Sequence, residues 1–256
     1  MDHQTLGRVL AEARREGRKL RDYPCDRPES LDDAFAVQDA MVAAMGVLVA
    51  GWKVGLTSKL AQEVVGVDAP FAGPVFADAV FESGAGLGLA EGDLGILEAE
   101  VGFRMKESLP PRDGAYTRAE VLGAVGAVMP VFEWVNKRLP GDIREAKEWL
   151  VADGTFNSAV ICGAEVAFDP GMDLRGETVA VFQDGEEKAS GVGANALGDP
   201  AEVLVWLAND LRRRGKGLRA GDVVATGLLS GLVYAEAGAD YAARFATLGQ
   251  VNLRVT

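Results

Sequence analysis

At 256 residues and 48% hydrophobic content, the chain can bury a large core without disulfide staples, and its two cysteines, Cys25 and Cys162, form no CxxC pattern. A net charge of −12 argues against a nucleic-acid binder, and no apolar run reaches the ~18 residues of a membrane span, so a cytoplasmic protein is expected. The single histidine, His3, lies in the N-terminal tail and argues against a Ser-His-Asp triad, a Cys-His pair or a His-ligated zinc; acid–base work falls to carboxylates, Lys, Tyr, Cys or a metal-bound water, and any metal to oxygen ligands.

The first part of the chain reads as helical. An amphipathic helix is expected over residues 6–18, a break at Pro24 and Pro28, and a second helix opened by Ser30 with Asp33 three residues on. A strand over 52–56 follows, then a short helix capped by Ser58 and ending near Gly66. A stretch punctuated by Gly and Pro fills 68–88. From Asp93 strands dominate, at 95–103, 128–135, 178–182, 186–190, 222–226, 241–247 and 250–255, with Asp184-Gly185 marking a hairpin. Two helices interrupt them: one over 121–128 behind a Thr117/Glu120 capping box, and one from Asp199-Pro200 to Arg214, stopped by Gly215. This order predicts an α+β fold with a mixed, mostly antiparallel sheet rather than a doubly wound one. No GxGxxG or Walker sequence occurs.

Three segments carry the candidate chemistry. In Ile96–Phe103 of the expected strand, alternation puts Glu98 and Glu100 on one face and Leu97, Ala99, Val101 and Phe103 on the other. That face is either solvated or a cation site, since a divalent ion makes adjacent carboxylates favourable. In Met129-Pro130-Val131-Phe132-Glu133-Trp134-Val135 one acid sits in an apolar strand, where it is either at a wet edge or paired or metal-bound. In Gly51-Trp52-Lys53-Val54-Gly55-Leu56-Thr57-Ser58, Lys53 is either a snorkelling lysine or one whose pKa is low enough to act as a base.

Taken in order, these segments resemble the hydratase/decarboxylase branch of the fumarylacetoacetate hydrolase superfamily, typified by 2-oxopent-4-enoate hydratase and 4-oxalocrotonate decarboxylase. The similarity also takes in Ala34-Phe35-Ala36-Val37-Gln38, Gly66-Val67-Asp68-Ala69-Pro70, Phe76-Ala77-Asp78, Val151-Ala152-Asp153, Leu197-Gly198-Asp199-Pro200, Trp206-Leu207-Ala208-Asn209 and the run from Gly221 to Gly227. The resemblance implies a sheet roll of that family's type over residues 81–256, with a smaller helical region over 1–80 that carries the Lys53 strand. It implies a divalent metal, Mg²⁺ or Mn²⁺, on Glu98, Glu100 and Glu133. It implies acid/base roles for Lys53 and Asp78, with Leu56, Thr57, Thr226 and Gly227 beside the substrate.

The expected activity is metal-dependent hydration of a 2-hydroxydienoate to a 4-hydroxy-2-oxo acid. The alternatives are decarboxylation of a 4-oxalocrotonate-type acid, or a non-catalytic homologue serving as a partner subunit. A small 2-oxo acid is the expected ligand, with self-assembly into a homo-oligomer and a possible complex with a pathway enzyme. Three departures from the family pattern touch the substrate side: Ile96 replaces a basic residue, Asn136-Lys137-Arg138 replaces Asp-Ser-Arg, and Gly154-Thr155-Phe156 replaces Asn-Ala-Ser. Thr155 or Ser158 could compensate for the last. Glu145 and Glu148 lie in a charged segment read as either a lid or a solvated helix.

Overall fold

The computed structural model describes residues 1–142 and 147–256. Helix α1, His3–Arg15, starts three residues earlier than the hydrophobic spacing predicts. Asp2 caps it by accepting from Thr5 N at 2.8 Å, and the chain turns out at Gly17 with φ +61°. Its apolar face, Leu6, Leu10, Ala11 and Ala13, is buried, and it crosses α2, Leu31–Met45, at Gly7, where a Cβ would stand 2.5 Å from that of Ala40. Ser30 caps α2 as expected, and α3, Lys59–Val65, runs from the Ser58 cap to Gly66.

Among the described residues the strands form two sheets. The nine-stranded sheet contains β1 Val49–Gly55, β2 Phe71–Phe76, β3 Val80–Glu82, β5 Ile96–Met105, β6 Val125–Val135, β7 Asn157–Cys162, β8 Val166–Ala167, β11 Val223–Ala225 and β12 Val233–Tyr234. Its order is β2-β1-β11-β5-β6-β7-β3, with β12 on β5 and β8 on β6. The five-stranded sheet runs β10 Glu186–Val192, β9 Thr178–Gln183, β13 Asp240–Phe245, β14 Gly249–Val255 and β4 Ala85–Leu87. Among the described residues parallel pairing is confined to β1–β11, β14–β4 and β3–β7, and the other ladders are antiparallel, as the sequence predicts. Asp184 and Gly185, both at positive φ, make the expected hairpin turn between β9 and β10.

Several elements depart from expectation, and β3, β4, β7, β8 and β12 lie where no strand is expected. The helix expected over 121–128 stops early: α4 spans Arg118–Gly123, its capping box intact, and β6 begins at Val125. Val125 pairs with Met105, so sheet pairing overrides local helical spacing there. The Gly/Pro stretch hides β2, whose Pro74 is tolerated because β2 is a sheet edge. Later, α5 Lys147–Ala152 precedes β7, and α6 Pro200–Arg213 runs from the Asp199 cap.

The long sheet curls. Val75 of β2 and Val160 and Cys162 of β7 share one small buried cluster with Met129, Val131, Val223 and Ala225, although β2 and β7 are separated by four strands in the order and joined by no ladder. Leu97, Ala99, Val101 and Phe103 of β5 face the main core instead, so Glu98 and Glu100 point into the roll. No described helix is long and apolar enough to cross a membrane.

Candidate active site

Register places the site. In the β5–β6 ladder Glu98 pairs with Glu133 and Glu100 with Val131, which puts all three acids on the inner face. In β1, Lys53 pairs with Ala225 on one side and Gly73 on the other, and Ala225 in turn pairs with Gly102 of β5. Carboxylate oxygens of Glu98, Glu100 and Glu133 lie within 4.8 Å of one another. Glu100 and Glu133 are fully buried and Glu98 is half-buried at the rim. Lys53 is buried; its Nζ lies 3.2 Å from Glu133 Oε1 and donates to the Thr155 carbonyl at 3.1 Å.

The electrostatics follow from crowding like charges away from water. Burial, then the charge of Glu133, pushes Glu98 up to about 7, with Lys53 opposing. Burial and the charges of Glu133 and Glu98 raise Glu100 well above the ordinary carboxyl range. For Lys53, burial pulls downward, but Glu133, Glu98 and Glu100 together outweigh it and hold the ammonium above its usual value.

The donor set fits a hard cation. Glu100 uses Oε2 to accept from Gly227 N at 2.7 Å, and Glu133 uses Oε1 for Lys53 and for Asn157 Nδ2 at 3.0 Å. The second oxygen of each, Glu100 Oε1 and Glu133 Oε2, is buried without a partner. Leaving two such oxygens unsatisfied is costly, and an all-oxygen cluster suits Mg²⁺ or Mn²⁺.

A turn closes the site. Gly154, Thr155 and Phe156 all adopt positive φ, which aims the Thr155 carbonyl at Lys53. The turn sits tightly on Gly73, where a Cβ would be 2.1 Å from Thr155 Oγ1. Below it, buried Arg138 grips Asp153 with Nε at 2.6 Å and with its own backbone N at 3.0 Å. Neither hydroxyl suggested as a replacement for the family serine is free: Thr155 Oγ1 donates to Gly154 O, and Ser158 Oγ is shared between Arg138 and Asn136 O. Phe156 is buried, and Asn136 is spent on Lys19 and on Leu94 N. Ile96 packs against the core.

The remaining sequence-predicted residues divide. Gly227, at φ +97°, anchors Glu100 and lies against Thr57, whose Oγ1 would be 2.1 Å from a Cβ there. Leu56 adopts φ +59° and its carbonyl accepts from Gln62. The Thr226 hydroxyl is used up on Val101 O. Asp78 is exposed in the Ala77–Ala79 turn and lines a cleft with Arg14, Lys19 and Arg138, and its charge acts on Arg14 as that of Glu133 does. Glu145 lies outside the described residues; Glu148 is buried, 3.5 Å from Arg27, so it is no solvated helix residue. Two residues escaped sequence reasoning, Arg14 and Asn157. Arg14 reads as an ordinary polar position of α1, yet burial and then the charge of Arg138 push it down to about 9.

Residues 68–256 match the family model for the C-terminal part of fumarylacetoacetate (FAA) hydrolase. The chain is 31% identical to a 2-hydroxyhexa-2,4-dienoate hydratase of Comamonas testosteroni, over 99% of this chain and 97% of that protein. It is 32% identical to a 2-keto-4-pentenoate hydratase of Paraburkholderia xenovorans LB400, over 87% and 83% of the two. The fold superposes on 4-oxalocrotonate decarboxylase from Pseudomonas putida G7, complexed with magnesium and adipate, with a TM-score of 0.89 at 27% identity, over 99% of this chain and 97% of that one.

Proposed function

The chain belongs to the fumarylacetoacetate hydrolase family, and on that premise we propose that it is a lyase, a metal-dependent hydratase converting a 2-hydroxydienoate, or its 2-oxo-4-enoate tautomer, into a 4-hydroxy-2-oxo acid of aromatic meta-cleavage catabolism. One observation carries the proposal: the unspent oxygens of Glu100 and Glu133 meet, together with Glu98, beside the Lys53 ammonium. The names of the similar hydratases supply the substrate class.

Glu98, Glu100 and Glu133 would hold a divalent cation, which would supply Lewis-acid charge to offset the carboxylates toward an anionic 2-oxo acid. Lys53, its Nζ 3.2 Å from Glu133 Oε1, is the group placed to carry protons to and from the substrate. Two of its N–H directions go to Thr155 O and Glu133, which leaves one for the substrate. For 2-hydroxypenta-2,4-dienoate, Nζ delivers a proton to C5 and takes up the one that the C2 hydroxyl releases, forming the 2-oxo-3-enoate. Water then adds, its OH to C4 and its proton to C3. The turn at 154–156 holds Nζ in place throughout. Leu56, Thr57 and Gly227 form the substrate-facing wall beside Glu100, and Thr226 holds that wall through Val101.

The test mixes the protein, Mg²⁺ and freshly generated 2-hydroxypentadienoate and follows the dienol absorbance. Loss of absorbance that disappears in Glu98→Ala and Lys53→Ala supports the hydratase; an unchanged signal in the wild type counts against it. The second reading, decarboxylation, is favoured by the close superposition on 4-oxalocrotonate decarboxylase, and release of carbon dioxide from 4-oxalocrotonate would select it. Silence toward both substrates with metal still bound would point to a non-catalytic partner subunit. The proposed setting is the cytoplasm, as a homo-oligomer alone or with a pathway enzyme; exposed Leu48, Leu60 and Val64 offer apolar surface for assembly, and sedimentation velocity showing only monomer would refute it.

A further inference from the structure

The two oxygens of Glu133 are in different states. Oε1 accepts from Asn157 Nδ2 at 3.0 Å and faces Lys53 Nζ at 3.2 Å, while Oε2 is buried with no partner. A carboxylate with one oxygen claimed has a fixed rotation, and the claim on Oε1 is what leaves Oε2 for a ligand. That claim depends on which end of the Asn157 amide faces Glu133, because the carbonyl end would repel it.

Arg14 makes the choice. A guanidinium only donates, so the amide end nearest it is the oxygen: Arg14 Nη2 donates to Asn157 Oδ1 at 3.4 Å, and the NH₂ group is left for Glu133. Arg14 Nη1 also donates to the Asn157 backbone carbonyl at 2.7 Å, and Arg138 Nη2 reaches the same carbonyl at 3.2 Å. The start of β7 is thereby clamped by two arginines. Arg14 is in turn seated over the Phe76 ring at 4.7 Å. Helix α1, 143 residues away in sequence, reaches the carboxylate cluster through this chain of contacts.

We propose that Arg14 and Asn157 are positioning residues of the metal centre, Arg14 orienting the Asn157 amide and Asn157 turning Glu133 so that Oε2 faces the cation. The inference rests on the reading that the three glutamates hold that cation. Partners one shell behind metal ligands typically change affinity by about 10- to 100-fold.

The test is calorimetric titration of Mn²⁺ into metal-free, full-length wild type, Asn157→Leu, Arg14→Met, the double variant and Glu133→Ala, with melting curves as a check on folding. Asn157→Leu should weaken Mn²⁺ binding by about tenfold or more and Arg14→Met by less. The double variant should be no weaker than Asn157→Leu alone, because Arg14 acts through Asn157. Additive losses would overturn the coupling, and undiminished affinity in folded Asn157→Leu would overturn the whole inference. If Asn157→Leu does not fold, Asn157→Ser, whose hydroxyl is too short to reach Glu133, reads the same affinity. Absence of Mn²⁺ binding in the wild type would strike the three-glutamate reading itself. Binding lost in Glu133→Ala but kept in Asn157→Leu strikes this inference alone.

Discussion

Glu98 of β5 and Glu133 of β6 stand directly opposite one another across an antiparallel ladder. Like charges in that position destabilise a sheet, and here the pair is joined by Glu100, with Glu100 and Glu133 fully buried and Glu98 half-buried. The fold tolerates this only if a proton or a cation takes up the charge. Lys53, single and shared with Thr155, balances part of it.

The first consequence is a stability that depends on pH in the metal-free protein. Glu98 lies near 7 in the fold against 4.5 ordinarily, so the folded chain binds the extra proton between those values. This contribution is fully present below about pH 4.5 and is lost as pH rises through about 7, and the upward shift of Glu100 adds in the same direction. The metal-free melting temperature should therefore fall between pH 5.5 and 8 (~ values set by these shifts), while the increment from saturating Mg²⁺ should grow over the same range, because protons no longer compete for the carboxylates. With cation at about 100 times its Kd the increment is about 2.7 kcal/mol. A metal increment that shrinks with rising pH would contradict this.

Glu100→Gln separates stability from binding. The amide imitates the protonated acid that the metal-free fold favours and can keep the bond from Gly227 N. Calorimetric titration should show cation binding weakened by more than the about 10- to 100-fold that loss of a ligand's hydrogen-bond partner costs, since here a charged ligand itself is lost. The metal-free melting temperature should stay level or rise. A clear drop in stability would show that the Glu100 charge is satisfied in some other way.

Lys53→Met should do the reverse. It removes one half of a buried ion pair and leaves Glu133 without its ammonium. A loss of about 3–5 kcal/mol in metal-free urea unfolding is expected, the usual cost of orphaning a buried charge. Turnover should fall by about 10²–10⁴, the usual worth of a positioned acid. Turnover near wild type would remove Lys53 from the proton path.

Gly227→Ala tests the wall beside Glu100. The residue needs φ +97°, and a Cβ would fall 2.1 Å from Thr57 Oγ1. Strain of about 1–3 kcal/mol is expected, together with loss of the Gly227 N bond that fixes Glu100. Both unfolding free energy and cation affinity should drop; a fall in stability with affinity untouched would detach Gly227 from the centre.

Much of this site could be read from the sequence because it obeys short-range rules. Glu98 and Glu100 share a face by the period of a strand, and Asp2, Ser30, Ser58, Thr117 and Asp199 act as helix caps, four of them foreseen and Asp2 not. The strand β7 escaped because it is buried on nearly all positions and shows no alternation, and β2 because Gly73 and Pro74 mimic a loop. The Arg14–Asn157 link escaped for a different reason: its partners are brought together only by the packing of α1 against the roll, and no local pattern marks either residue. Asp78, placed by motif alone, lies in an exposed turn beside the cleft lined by Arg14, Lys19 and Arg138.

The most direct measurement is diffraction from Mn²⁺-soaked crystals at the manganese absorption edge. A single anomalous peak in contact with one oxygen each from Glu98, Glu100 and Glu133, with Lys53 Nζ alongside, is the predicted result. A peak elsewhere on the protein, or none while those carboxylates remain ordered and clustered, would contradict the account.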